Sequence, residues 1–284
     1  MAVDGYAEWG GNVFLALEPV VPPVGIIAGL LNILTKPKPR FEVRQAMGAK
    51  YGVISAQIPA QWEQVTALAG RWGDRLLLPS GVDPPPPLSA ARFPRYDKAV
   101  LAATACEIIK WTRMPLYRRM VGFCDRDGSY ADLLEGLLRH FTAAVVLTGR
   151  EDVYEAEAER LMAGMGAPVI LAGHGTAFAD CVLVLAPEGL PPDIRPRCPV
   201  LANVHSPDGR HDWISGLRVR PFDELLALCP KGIAPHDFGA ALFEFGDVRP
   251  AGFVASELLL NGVPATLEQA AETIGRHAGS ANLY

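Results

Sequence analysis

The residues best placed to do chemistry lie in CDRDGSYADLL, from Cys124 to Leu134. An apolar run ends at Asp125, a turn follows at Asp127 and Gly128, and a helical pattern opens behind Ser129, Tyr130 and Ala131. Gly128 lets the backbone turn closely, and amides at the N-terminus of a helix are donors with no partner inside the helix. Ser129, Tyr130 and Ala131 could therefore cradle a phosphate. Against that, Asp125 and Asp127 put two negative charges where the anion would sit, and Asp127 or Ser129 can cap an ordinary strand-to-helix turn. Both uses of the turn stay open.

The elements around this turn define its setting. From Met120 to Gly189, short apolar runs alternate with helix-like segments in a β-α-β-α-β rhythm. That rhythm implies an α/β fold with a Rossmann-like parallel sheet, whose strands gather their carboxyl ends around one crevice. Asp125, Thr148 and Pro187 each follow an apolar run and are expected around that crevice. The second run closes in VVLTGRED, where an acidic residue would hold ribose hydroxyls and an arginine would accommodate a 2′-phosphate. Both occur, as Glu151 and Arg150, so NADP or NAD is the expected cofactor, with Arg150 favouring the phosphorylated form. Alternatively Glu151 and Asp152 serve the dipole of the following helix. The glycine fingerprint GxGxxG is missing, and after Gly173 and Gly175 its third position is Phe178.

The TGRED turn followed by ADCVLVLAP resembles the Rossmann domains of the shikimate-dehydrogenase-like class, over about seventy of the 284 residues. The resemblance implies an NAD(P)-binding lobe preceded by a smaller substrate lobe. The Ser-x-Ser pair, lysine and Asn/Asp pair of that class have no match between residues 41 and 115, so its catalytic residues do not carry over. The chain is also similar to bacterial proteins of about this length that bring no established activity with them.

Among the six histidines, His174 and His205 follow strand-like runs and are expected near the crevice, without a Ser, Cys or carboxylate partner at motif spacing. No HxH, HExxH or Cys/His cluster occurs, so no metal is expected. The five cysteines are odd in number, widely spaced and without a CxxC pair, which suggests reduced thiols in the cytoplasm. Cys124 and Cys181 read as inert core residues.

A net charge of −5, with Lys and Arg scattered, gives no basic field for nucleic acid. Half the residues are apolar and a fifth charged, enough for a real core. Residues 13–34 approach the length of a membrane span, but Glu18, Pro19, Pro22 and Pro23 interrupt them and no basic region precedes them. That argues against membrane contact and for an apolar arm packed on the body or on a second copy in a homodimer.

The expected organisation is an arm and linker at 1–40, a small α/β subdomain at 41–95 and a bridging helix at 96–116. A Rossmann-like domain at 117–206 and a C-terminal helical segment at 207–284, packing on the core, complete it. The expected function is binding of a nucleotide or small metabolite without an evident catalytic constellation. The alternative is an NAD(P)-dependent oxidoreductase acting on a small polar substrate between two lobes.

Overall fold

The computed structural model describes residues 13–20, 38–173, 178–206, 212–249 and 252–280. The chain divides into two compact units, residues 1–96 with 220–252 and residues 97–219 with 253–284. The first half of the chain supplies β1 (Leu15–Pro19), β2 (Arg40–Ala46), β3 (Ala49–Ala56), α1 (Trp62–Ala69), β4 (Leu76–Leu77) and α2 (Pro94–Trp111). Next come β5 (Met120–Asp125), α3 (Leu134–Leu138), β6 (Ala143–Thr148), α4 (Glu151–Met165), β7 (Val169–Leu171), β8 (Leu183–Leu185) and β9 (Val200–Leu201). The chain then forms β10 (Trp213–Arg218), α5 (Asp223–Leu226), α6 (Pro235–Gly246), β11 (Glu257–Leu260), β12 (Val263–Ala265) and α7 (Leu267–Ser280).

The first unit is a four-stranded sheet in the order β2-β3-β1-β4, with β1 parallel to both its neighbours and β2 antiparallel to β3. Side chains alternate across it as the two-residue period of a strand requires. Phe14, Ala16, Tyr51 and Val53 meet Phe238, Ala241 and Leu242 of α6 on one face. On the other, Leu15, Leu17, Ile54 and Ala56 meet Val65 and Ala69 of α1, together with Trp72. This corrects the expected arm: Leu15–Pro19 is a central strand, because its apolar residues are buried on both faces of the sheet. Glu18, which interrupts the apolar run in sequence, is held at the end of β1 by the Arg44 guanidinium at 2.7 Å and the Lys231 amide at 3.0 Å. Residues 21–34 of that run lie outside the described residues.

The expected C-terminal helical segment is corrected as well. Residues 220–252, with α5 and α6, belong to the first unit, since the apolar face of α6 covers its sheet. The remainder adds strands as well as a helix to the second unit.

The second unit is an eight-stranded sheet, β12-β11-β10-β9-β8-β5-β6-β7. From β7 to β10 neighbouring strands are parallel, and β11 and β12 extend the edge antiparallel. One face carries Val121, Phe123, Val146, Leu183 and Leu185 against α2, α3, α4 and α7, through Leu101, Ile108, Leu137, Leu161 and Ile274. The other carries Cys124, Val145, Leu147, Val184 and Trp213, covered by Phe178, Cys181, Ile194 and Cys198. The described parts of the β7–β8 and β8–β9 connections contain no helix, so helices cover one face of this sheet and irregular chain covers the other. No helix among the described residues is long and apolar enough to cross a membrane.

Candidate functional site

Counted from β5, the parallel strands of the second unit run 3-2-1-4-5-6 across the sheet. That is the order of dinucleotide-binding sheets, and its ligands lie outside the carboxyl ends of the strands where the order reverses. Here the reversal falls between β5 and β8, which are hydrogen-bonded neighbours in the order Val121↔Leu183, Gly122↔Val184 and Phe123↔Leu185.

At the end of β5 the two-residue period separates the chemistry. Asp125 belongs to the helix-covered face and is buried, where its Oδ2 accepts the Tyr130 amide at 2.9 Å and the Tyr154 hydroxyl at 2.6 Å. Burial, reinforced by that carboxylate, drives the Tyr154 phenol far above its ordinary range. Asp127 is exposed, and its Oδ1 accepts the Ser129 amide at 3.0 Å in a side-chain-closed turn. Hydrogen bonds from Ser129, side chain and backbone, hold the Asp127 carboxyl below its usual value. The Ser129 and Tyr130 amides, expected to be free, are thus satisfied by the chain's own carboxylates, and Lys98 donates to the Ser129 carbonyl.

The turn is also closed laterally. The Gly149 amide donates to the Arg126 carbonyl at 3.0 Å, and a Cβ on Gly149 would lie 2.9 Å from that oxygen. Gly128 adopts φ +77°, and a Cβ there would lie 3.1 Å from Cβ of Arg150. The β5 and β6 turns therefore clasp each other. The residues present do not fit the diphosphate of NAD or NADP at this turn, because the Ser129 and Tyr130 amides are occupied, two carboxylates flank it and the clasp narrows it.

The other expected contacts are placed as follows. The Thr148 Oγ1 accepts the Arg150 amide at 3.0 Å, while the exposed Arg150 guanidinium forms a fork with Asp152 at 2.9 and 2.8 Å. Glu151 is exposed in the first turn of α4. Pro187 is buried, and its carbonyl accepts the Asn203 amide at 3.3 Å.

A cavity of about 250 Å³ opens at the same strand ends on the opposite face of the sheet. Cys124 of β5 and Arg126 just beyond it line the cavity, with Leu147 and Thr148 of β6, Gly149 just beyond that strand, and residues 188–191 from the chain leaving β8. Of the residues expected at the site, Thr148 lines this cavity; Asp125, Asp127, Gly128, Ser129, Tyr130, Arg150, Glu151 and Pro187 do not. Burial pushes the Cys124 thiol up to about 11 despite the nearby Arg126. Arg126 and Glu188 have no ion-pair partner among the described residues. Both escape a motif search. Strand alternation carries the signal: if Asp125 turns toward one face, Cys124 and Arg126 turn toward the other.

His205 follows β9 and is exposed, its Nδ1 3.4 Å from the buried Ser215 hydroxyl; His174 lies outside the described residues. Among the described residues no group of three or more His, Cys, Asp or Glu side chains could hold a metal ion. A wider hollow of about 620 Å³ is lined by Trp111 at the end of α2, by Arg113 just beyond it, and by Glu268 and Glu272 of α7.

No family model matches the chain, and no curated protein matches it. Among solved structures it is similar to L-tryptophan dehydrogenase from Nostoc punctiforme, at 13% identity and a TM-score of 0.32, over 97% of this chain and 90% of that one. A likeness of that degree says nothing about the ligand of this chain. The strand order carries the fold: the second unit is Rossmann-like.

Proposed function

We propose that the second unit binds a small molecule, a nucleotide or a metabolite, in the crevice at the carboxyl ends of β5, β6 and β8. The observation that supports this is the coincidence of the cavity with the point where strand order reverses, the place such sheets use for ligands. The lining suits recognition. Arg126 offers a planar fork for a carboxylate or phosphate, Leu147, Leu190 and Pro191 exclude water, and Gly149 and Gly189 let a ligand approach the backbone closely. The Cys124 thiol is protonated at neutral pH, and the Thr148 hydroxyl oxygen accepts the Arg150 amide, so the reading is one of binding.

A second reading, an NAD(P)-dependent oxidoreductase acting on a small polar substrate, is favoured by the strand order alone. It requires the Ser129 and Tyr130 amides to be released from Asp127 and Asp125. When bound, such a cofactor supplies hydride transfer.

A thermal-shift screen with NAD, NADP, ATP and S-adenosylmethionine, alongside small metabolites, tests both. Ligand at one hundred times its Kd stabilises by about 2.7 kcal/mol, which is readily read as a rise in Tm. Stabilisation that is lost in Arg126→Ala supports the cavity. Stabilisation by a dinucleotide that survives Arg126→Ala but is lost in Arg150→Ala or Gly128→Val supports the second reading. No response to any compound overturns both.

A further inference from the structure

Two opposite charges flank the cavity at the point of strand reversal. Arg126 lies one residue beyond β5 and Glu188 in the turn after β8, closed by the Gly189 amide on the Ala186 carbonyl at 2.9 Å, and both line the cavity. Yet no nitrogen of Arg126 approaches an oxygen of Glu188 within 4.0 Å, and neither finds another ionic partner among the described residues. The remaining lining joins the Thr148 hydroxyl to the apolar surface of Leu147, Leu190 and Pro191. An arginine and a glutamate facing one concave, partly apolar space attract a ligand that carries both charges itself, because each then gains a charge-assisted hydrogen bond. At about 250 Å³ the cavity lies below the roughly 300–1,000 Å³ of drug-sized ligand sites and suits a compact molecule. The alternative anion seat, at the β5 turn, is filled by Asp125 and Asp127.

We propose that the cavity takes a small zwitterion of the amino-acid type, its carboxylate on Arg126 and its ammonium on Glu188, with an aliphatic body against Leu147, Leu190 and Pro191. This rests on the small-molecule reading of the same site. It replaces the diphosphate that the strand order would suggest with a ligand matched to side chains that motif searches for nucleotide binding do not consider.

The test is calorimetric titration of the full chain with the common L-α-amino acids and, for any that binds, with the matching amine and the matching deaminated acid. NADP, ADP and inorganic phosphate form a second arm. The expected result is binding of at least one aliphatic amino acid, weakened about tenfold or more when either charged group is removed from the ligand. Glu188→Gln should bring the amino acid down to the affinity of the deaminated acid, and Arg126→Gln to that of the amine. Both side chains are exposed or line an open cavity, so urea midpoints of the two variants should match the unmodified protein and confirm their folding. If the deaminated acid or inorganic phosphate binds as well as the amino acid, and Arg126→Gln abolishes it, the small-molecule site stands and the zwitterion is overturned. If a nucleotide binds and no amino acid does, the zwitterion falls likewise. If nothing binds in either arm, both the zwitterion and the small-molecule reading fall.

Discussion

The Tyr154 hydroxyl donates to Asp125 Oδ2 across 2.6 Å, tying α4 to the end of β5, and both groups are buried. The same oxygen accepts the Tyr130 amide, so one carboxylate organises both the turn and the helix that packs beside it. Tyr154→Phe leaves the carboxylate buried with one donor fewer. A hydrogen bond to a charged group contributes about 1.5–3 kcal/mol, and a loss in that range is expected in urea unfolding. A loss below about 0.5 kcal/mol, the size of an ordinary surface change, would show that the contact does not hold the turn.

The same pair sets a response to alkaline pH. Burial, with the Asp125 carboxylate, raises the Tyr154 phenol well above its ordinary value near 10. Below pH 10 the folded and unfolded chains both keep the proton and the contribution is complete. Above it the unfolded chain loses the proton first, so stability falls as pH rises. Burial also pushes Tyr130 up to about 12, so it adds to the fall. Urea midpoints from pH 8 to 11 should decline, and less steeply in Tyr154→Phe. An equal slope would assign the decline to other groups.

Much of this second unit is legible in the sequence. The buried strands β5, β6 and β8 are continuous apolar runs, as parallel strands covered on both faces must be; Asp125 and Thr148 end β5 and β6, and Pro187 falls two residues past the end of β8. The capping pair Thr266 and Gln269 marks the start of α7, each side chain meeting the other residue's amide, at 3.2 and 2.9 Å. Three things are obscured. The strand β1 is masked by the prolines that follow it, and its burial depends on partners more than thirty residues away in β3 and β4. The hairpin β11–β12 is signalled by Asn261-Gly262, both at positive φ, but its strands are too short for a clear alternation. The cavity is hidden because a motif reading groups Asp125, Arg126 and Asp127 together, whereas the pleat sends neighbours to opposite faces.

Because β1 lies between β3 and β4, removing residues 1–36 should do more than trim a terminus. It deletes the central strand of the first sheet and exposes Tyr51, Val53 and Ile54. Loss of cooperative unfolding in the first unit is expected by calorimetry. The milder Leu17→Ala should cost about 2–5 kcal/mol, the usual range for a buried leucine. A truncated chain that unfolds like the full one would contradict the placement of β1.

The cysteines should be silent in the folded chain. Burial raises Cys106, Cys124 and Cys229 to about 11 and Cys198 to about 12, and pushes Cys181 higher still. Since the thiolate is the reactive form, a thiol reagent at pH 8 should label the native protein slowly and release five equivalents in denaturant. Rapid labelling of Cys124 in the native state would show that the floor of the cavity is more open than its burial indicates.

The most direct measurement is an experimental structure of the chain with the tightest ligand from the binding screens. The ligand should lie at the carboxyl ends of β5, β6 and β8, in contact with Arg126, Thr148 and Glu188, while Asp125 and Asp127 keep their hold on the Tyr130 and Ser129 amides. A ligand seated on those two amides with the carboxylates displaced, or one bound away from the strand ends, would contradict the account.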